Sequence, residues 1–153
     1  MASIVASALA IDQIVKFVMV EFVMQPPRII EVTSFFDLVL VFNSGISFGM
    51  FSGQIGLYPV VFALVKTAIA TALIVWGCMT NSRRERLALA VMAGGAAGNI
   101  VDRFRDGAVT DYLSLHAGAW AWPSFNLADV FVVTGAIALV ACSMVKPRPK
   151  ADI

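Results

Sequence analysis

Long apolar runs separated by short polar links dominate the chain. A helix that crosses a lipid bilayer needs about 20 mostly apolar residues, and four segments approach or reach this length. They run from about Ser3 to Met24, from Leu57 to Met79, from Leu87 to Arg103 and from Asn126 to Val145. This pattern predicts four transmembrane helices, of which the third is the shortest.

The link between the first two predicted helices has a different composition. It opens with Pro26 and Pro27, which cannot continue a helix. β-Branched and aromatic residues follow over 29–42, and such residues favour strands. We therefore expect residues 25–56 to form a small strand-containing cap on the outer membrane surface. A second buried helix is the alternative, although these apolar runs are short and β-branched.

The link between the last two predicted helices, residues 104–125, contains Trp120 and Trp122. Tryptophan is enriched where membrane meets water, so this link is expected to lie along that boundary. The predicted fold class is an all-α membrane protein, with four transmembrane helices and a small β-containing cap on the outer (periplasmic) surface. Residues 1–153 are expected to form a single integral membrane domain.

The composition agrees with a membrane protein. Apolar residues make up 59% of the 153 positions and charged residues 14%, whereas soluble domains carry about a quarter charged residues. The net charge of +1 gives no overall field that would attract nucleic acid. One histidine and two isolated cysteines, Cys78 and Cys142, do not supply the ligands of a zinc site. Both cysteines lie in apolar runs and are expected to be core residues.

Basic residues are distributed unevenly, and this sets the predicted orientation. Cytoplasmic links of membrane proteins carry an excess of Lys and Arg. Six basic residues lie in the link between the second and third segments and in the C-terminal tail: Arg83, Arg84, Arg86, Lys146, Arg148 and Lys150. Both termini are therefore expected in the cytoplasm, with the two longer links outside. Asp12 and Lys16 interrupt the first segment, so it is expected to be a retained helix and not a cleaved signal peptide.

Several polar side chains lie inside the predicted spans, where an ionisable group is costly and usually functional. Asp12 and Lys16 are four residues apart and share one helix face. For them, an internal ion pair that fixes helix packing is the alternative to a functional role. In the third segment, Asn99, Asp102 and Arg103 also share one face.

Two further aspartates lie near the outer ends of the last two segments. Asp111 follows the third segment, which ends near Arg103, and Asp129 lies three residues into the fourth, about 4.5 Å along its axis. Both carboxylates are therefore expected at the outer edge of the bilayer. Two carboxylates held close in a poorly solvated site share one proton, which is the aspartic-protease arrangement. The alternative is structural, because Asn126 suits a helix N-cap and Asp129 suits the first helical turn.

Five short polar motifs are spread along nearly the whole chain. They are Asp12-Gln13 with Lys16, Asn43-Ser44-Gly45-Ile46-Ser47-Phe48-Gly49, Gly98-Asn99 with Asp102-Arg103, Gly107-Ala108-Val109-Thr110-Asp111-Tyr112, and Phe125-Asn126 with Ala128-Asp129. In their order and spacing they resemble the motifs of bacterial lipoprotein signal peptidase, also called signal peptidase II. Each motif alone is weak evidence, but five together on a chain of this length are a strong signal.

The resemblance implies an aspartic endopeptidase (a hydrolase) whose catalytic residues are Asp111 and Asp129. Seven other motif positions are implied to contact substrate or to support the site: Asp12, Lys16, Asn43, Asn99, Asp102, Arg103 and Asn126. The implied reaction removes the signal peptide from diacylglyceryl-modified prolipoproteins, with the cut just before the lipidated cysteine.

The resemblance also implies partners and location. No metal, organic cofactor or nucleic acid is expected, and the expected partners are the prolipoprotein substrate and membrane lipid, with the enzyme acting as a monomer. The implied location is the bacterial inner (cytoplasmic) membrane, in which the chain is multi-pass and its active site lies near the outer leaflet.

Three other classes of protein compete with this interpretation. A small ion-coupled transporter would use Asp12, Lys66 and Asp129 as a relay, but it predicts carboxylates near mid-membrane. A non-catalytic scaffold would use the polar residues to bind helices together, but it does not explain five motifs. Presenilin-type or prepilin-peptidase-type proteases carry a Gly-x-Gly-Asp motif that is missing here. Lys66, near the middle of the second segment, could reach the membrane surface or a carboxylate on another helix, and no specific role is assigned to it.

Overall fold

Four α-helices and four strands make up the part of the chain that the computed structural model describes, residues 1–44 and 58–144. In chain order they are α1 (Ala2–Val18), β1 (Ile30–Thr33), β2 (Phe36–Asn43), α2 (Tyr58–Met79), α3 (Arg83–Asp106), β3 (Val109–Ala117), β4 (Trp120–Ala121) and α4 (Leu127–Met144). A π-helical turn over Met19–Val23 extends α1. Side chains of α2 are described from Leu64 onward.

Three parts of the predicted organisation lie outside the described residues. They are Gly45-Ile46-Ser47-Phe48-Gly49 of the second motif, the remainder of the predicted cap up to residue 56, and the C-terminal basic tail together with Val145.

Each of the four apolar segments contains one helix, but α3 is longer than its apolar run. It begins at Arg83, four residues before the predicted start, because the Ser82 hydroxyl caps it by accepting a hydrogen bond from the backbone N–H of Glu85 at 3.3 Å. It ends at Asp106, where Gly107 adopts a left-handed conformation with φ of 73°. Hydropathy does not detect these polar terminal turns. They are marked in the sequence by the capping residues Ser82 and Gly107.

The central helix is α3, which packs against α1, α2 and α4. Its small residues permit this close packing, as their spacing predicts. A Cβ atom on Gly95 would clash with the carbonyl oxygen of Ala128 in α4, and one on Gly98 would clash with the carboxylate of Asp12 in α1. The glycines therefore bring the polar ends of α1, α3 and α4 into contact.

The four strands form one antiparallel sheet in the order β1-β2-β3-β4. The first two strands come from the predicted cap, whereas β3 and β4 come from the second link, for which no strand was expected. In the register of β2 with β3, Val41 lies opposite Asp111 and Asn43 lies opposite Val109. The predicted fold class, all-α with a small cap, therefore understates the sheet. The sheet contains strands from both links, and Asp111 lies on one of them.

Large apolar side chains cover much of the outside of the helices. Exposed examples on three helices are Ile14, Phe17, Leu64, Ile69, Trp76, Val133, Ile137 and Val140. Two helical segments of the described chain, Ala2–Val23 and Leu127–Met144, are long and apolar enough to cross a membrane, and Leu64–Met79 is a shorter apolar helix. Cys78 is exposed and Cys142 is partly buried, so the expectation that both are core residues is wrong.

Candidate active site

A buried polar cluster joins α1, α3 and the first turn of α4. Lys16 is 2% exposed, and its Nζ lies 2.8 Å from Asp12 Oδ2 and 2.7 Å from Asp102 Oδ2. The same ammonium donates to Asn99 Oδ1 at 3.1 Å. Asp12 Oδ1 accepts a hydrogen bond from the backbone N–H of Ala128 at 2.9 Å. The ion pair suggested by the sequence is therefore present with Asp102 as a third member, and the buried ammonium has three oxygen partners, as a buried charge requires.

Two asparagines connect this cluster to Asp111 and Asp129. Asn99 Nδ2 donates to Asp129 Oδ1 at 2.8 Å. Asn126 Nδ2 donates to Asn99 Oδ1 at 3.0 Å and to Asp111 Oδ1 at 2.6 Å. The Asn126 side chain is completely buried. A continuous set of hydrogen bonds thus runs from Lys16 to both carboxylates.

Asn126 and Asp129 also cap α4. The backbone N–H of Asp129 donates to Asn126 Oδ1 at 3.1 Å, and the backbone N–H of Asn126 donates to Asp129 Oδ2 at 3.2 Å. This reciprocal arrangement is a capping box. The helix-capping role that the sequence offered as the alternative for this pair is therefore present. It does not exclude another role, because the same side chains also bind Asn99 and Asp111.

Asp111 lies on β3 and is 2% exposed. Its Oδ2 accepts a hydrogen bond from Asn43 Nδ2 on the neighbouring strand at 3.0 Å. Burial raises the pKa of Asp111 above its ordinary value of 3.8, and the charge of Asp129 adds to this rise, while the hydrogen bonds from Asn43 and Asn126 oppose it. The Asp111 carboxyl therefore keeps its proton to a higher pH than a solvated aspartate does.

The positive charges of two basic residues, Arg103 and Lys66, also act on this carboxylate pair. Arg103 Nη1 donates to the backbone carbonyl of Asn99 at 3.1 Å, and its charge interacts with Asp111 and Asp129. The ammonium of Lys66 on α2 interacts electrostatically with Arg103 and with the same two aspartates. Across residues 1–44 and 58–144, no group of three His, Cys, Asp or Glu side chains is arranged to hold a metal ion.

A mostly apolar cavity of about 320 Å³ opens beside Asp129. Besides this aspartate, it is lined by Leu115, Trp122, Phe125, Val130, Val133 and Thr134. Asp129 is partly exposed whereas Asp111 is buried, so Asp129 is the carboxylate that a molecule in this cavity meets first.

Two participants belong to the five motifs but were assigned no role from the sequence. Gln13 Nε2 donates to Asp102 Oδ1 at 2.8 Å and to the Gly98 carbonyl at 3.3 Å. Tyr112 Oη accepts from the backbone N–H of Leu127 at 3.1 Å, and burial raises the pKa of Tyr112 to about 12, so the hydroxyl stays protonated. The only sequence signal for them was that they lie next to Asp12 and Asp111. Burying an uncharged side chain costs less than burying a charged one, so hydropathy does not mark such residues as functional.

The sequence and fold match known proteins over most of the chain. The family described as Signal peptidase (SPase) II matches residues 4–145. The chain belongs to the signal peptidase II family. The resemblance inferred from the five motifs is thus confirmed, and the polar cluster described above is the candidate active site of a signal peptidase II family member.

Curated relatives agree with this assignment. The chain is 38% identical over 148 residues to a lipoprotein signal peptidase of Methylorubrum extorquens, covering 95% of this chain and 85% of the relative. It is 42% identical over 135 residues to one of Azoarcus sp., covering 85% and 74%. A solved bacterial membrane enzyme shares the fold, with a TM-score of 0.77 and 24% identity over 94% of this chain and 91% of that one.

Proposed function

We propose that this member of the signal peptidase II family is a membrane aspartyl endopeptidase with Asp111 and Asp129 as its catalytic pair. It removes signal peptides from diacylglyceryl-modified prolipoproteins and cuts just before the lipidated cysteine. The observation that carries the assignment is buried Asn126, whose side-chain Nδ2 donates to Asp111 Oδ1 and whose backbone N–H donates to Asp129 Oδ2. It holds two carboxyl groups from a strand and a helix in one poorly solvated site.

The chemistry follows from a single proton held by this pair. Asp111, whose pKa is raised by burial, carries the proton and donates a hydrogen bond to the scissile carbonyl. Asp129 lies in the first turn of α4, where the helix dipole favours a carboxylate, and it takes a proton from water. The hydroxide adds to the carbonyl carbon, the C–N bond breaks, and the amine nitrogen receives a proton. One water is consumed, and a carboxylate and an amine are produced.

Seven residues support the pair in this proposal without touching the reacting atoms. Asn43, Asn99 and Asn126 hold the carboxylates by hydrogen bonds. Asp12 and Asp102 hold Lys16, which donates to Asn99. Arg103 contributes a positive charge from the opposite side of Asn99. Because these groups come from one chain, the enzyme is proposed to act as a monomer.

The proposed setting is the bacterial inner membrane, with α1 to α4 as four transmembrane helices of one domain. Exposed apolar side chains on α1, α2 and α4 support it. The arginines at the start of α3, Arg83, Arg84 and Arg86, support a cytoplasmic position for that end and for both termini. The sheet formed by β1 to β4 would then lie on the outer surface, with Trp120 and Trp122, both exposed, at the boundary. The catalytic pair lies at the outer leaflet in this arrangement.

The apolar cavity beside Asp129 supports the proposed substrate. Its lining is almost entirely apolar apart from Asp129 and Thr134, and it lies on the side of α4 that carries exposed Val133. An apolar segment of a signal peptide, or an acyl chain of the modified cysteine, would enter from the membrane and reach Asp129 without crossing a polar surface.

The test is cleavage of a diacylglyceryl-modified prolipoprotein by the purified protein in detergent. Asp111→Asn and Asp129→Asn are each expected to lower turnover by about 10²- to 10⁴-fold, since each removes a general acid or base. Asp106→Asn is the matched control, because Asp106 is 39% exposed and pairs with Arg105. Parent-like turnover in either catalytic variant would show that the pair is misassigned, and a parent protein that never cuts before the modified cysteine would refute the function.

A further inference from the structure

A second cavity lies at the end of the molecule where α1 and α3 begin. Its volume is about 270 Å³, and it is lined by Met1, Ile4, Arg83, Arg86 and Leu87. The Met1 side chain packs against Gly77 of α2, where a Cβ atom would clash with it. At a rise of 1.5 Å per residue, Arg83 lies about 24 Å along α3 from Asn99. The cavity therefore adjoins three helices and is separate from the candidate active site.

The two arginines of this cavity carry positive charge that is not neutralised within residues 1–44 and 58–144, where neither forms an ion pair. The neighbouring acidic residue is Glu85, whose carboxylate accepts a hydrogen bond from the Thr80 hydroxyl at 2.6 Å. Arg86 Nη2 donates to the backbone carbonyl of Thr80 at 2.7 Å. A neutral oxygen thus orients the Arg86 guanidinium, and the described residues leave its charge without a carboxylate partner.

Apolar side chains adjoin this positive charge. Ile4 and Leu87 line the cavity, and Leu87 is 43% exposed. At the end of α2, Trp76 and Met79 are also exposed. A guanidinium binds phosphate through paired hydrogen bonds, and exposed apolar side chains favour hydrocarbon. A phospholipid supplies both groups in one molecule, whereas a soluble anion would use the arginines alone.

We propose that this cavity binds the phosphate headgroup of an anionic phospholipid, with Arg83 and Arg86 as its ligands and an acyl chain along Leu87. The inference rests on the membrane setting proposed above, which puts this end of α3 at the cytoplasmic leaflet, and it does not depend on the catalytic pair. Basic pockets between transmembrane helices on this side of a membrane suit anionic headgroups. A general excess of basic residues would set the orientation of the chain, but it does not require two arginines to line one cavity.

The test is native mass spectrometry of the detergent-purified full chain with dioleoyl phosphatidylglycerol and dioleoyl phosphatidylcholine added in equal amounts. The parent is expected to retain phosphatidylglycerol in preference to phosphatidylcholine. A basic residue near an anionic headgroup contributes about fivefold to the affinity. Arg83→Gln and Arg86→Gln should therefore each weaken phosphatidylglycerol binding about fivefold, and the double variant should lose most of the preference.

Arg84→Gln is the matched control, because Arg84 is exposed and follows Arg83 in the chain but does not line the cavity. It should keep the parent's preference. Equal losses in Arg84→Gln and Arg83→Gln would show that the basic helix end attracts anionic lipid without a site, and a parent with no preference also overturns the inference. Inorganic phosphate in excess should not displace the lipid, and displacement would identify a free-anion site instead.

Two further checks keep the outcome decisive. Thermal unfolding in detergent shows whether each variant is folded. If Arg86→Gln is not, Arg83→Gln carries the test, because Arg83 forms no side-chain hydrogen bond within the part of the chain that the structure describes. The readout is lipid retention, so a parent protein that never cleaves a prolipoprotein would refute the proposed function and leave this inference standing.

Discussion

The amide of Asn126 illustrates how much of the site depends on one residue type. Its Oδ1 accepts from the Asp129 N–H, while its Nδ2 donates to Asn99 and Asp111. Only a primary amide offers an acceptor and two donors on so short a side chain. An aspartate there would add a third carboxylate to the pair, and a serine could not reach both Asn99 and Asp111. Capping of α4 and alignment of the carboxylates therefore both require asparagine at position 126.

Asn43 gives a pH-dependent prediction at the residue scale. Its hydrogen bond to Asp111 Oδ2 lowers the pKa of Asp111 against the rise caused by burial. Activity that needs the Asp111 proton is present below this pKa and lost as pH rises through it. Asn43→Leu removes the donor, raises the pKa further, and is expected to move the alkaline limb of kcat up by about one pH unit. The measurement is the pH–rate profile of prolipoprotein cleavage.

The acid limb of the same profile gives an internal comparison. Asn43→Leu should leave the acid limb nearly in place, because its hydrogen bond is to Asp111. Asn81→Leu, at an exposed asparagine in the α2–α3 link, is the control and should match the parent. An acid limb that moves to higher pH in Asn43→Leu, with the alkaline limb unmoved, would mean that Asp111 acts as the ionised partner.

Spacing along the chain predicted some contacts among these residues and could not predict others. The four-residue spacing of Asp12 and Lys16 predicted their ion pair, because both lie on one helix. Asp102 joins them from a helix 86 residues further along than Lys16, and no local spacing encodes that contact. The bond from Asn43 to Asp111 depends on the pairing of β2 with β3. This contact forms only in the tertiary fold, and the family resemblance was the only source of tertiary information in the sequence analysis.

At the scale of elements, α4 presents different faces to different surroundings. Gly135 packs against Met92 and the Ala88 carbonyl of α3, so this face could not hold a larger residue. Val133 lines the apolar cavity beside Asp129 and is 56% exposed, whereas Val140, two turns along the same helix, is 59% exposed and outside that lining. The two valines therefore provide a matched pair for testing what the cavity does.

Val133→Trp is predicted to fill part of the cavity and exclude substrate. We expect kcat/KM for prolipoprotein cleavage to fall about tenfold or more, mainly through KM, because apolar binding space is lost. Val140→Trp makes the same change on the exposed apolar surface of α4 and should keep parent kinetics. If both variants retain the parent kcat/KM, the cavity does not bind the substrate, although the Asp111–Asp129 assignment would be unaffected.

Hydropathy located the four helices because apolar length is a local property of the sequence. It missed β3 for a physical reason: the segment from Val109 to Ala117 mixes apolar and polar residues without one regular period, and its strand state depends on β2 as a partner. Strands from the two predicted links thus form one sheet at the scale of the molecule. Tyr112 on β3 is buried with Met19 and Met24 at the end of α1, which ties the sheet to the helices.

The proposed orientation of the whole molecule in the membrane can be tested by labelling single cysteines with a membrane-impermeant maleimide. In a background with Cys78→Ser and Cys142→Ser, the added cysteine would be Ser34→Cys, in the exposed turn between β1 and β2, or Asn81→Cys, in the exposed α2–α3 link. In intact spheroplasts, Ser34→Cys should be labelled, whereas Asn81→Cys should react only after permeabilisation, because three arginines follow it at the start of α3. The background without cysteines should stay unlabelled. The reverse pattern would place the sheet and the Asp111–Asp129 pair on the cytoplasmic side, where a prolipoprotein cysteine modified at the outer leaflet could not reach them.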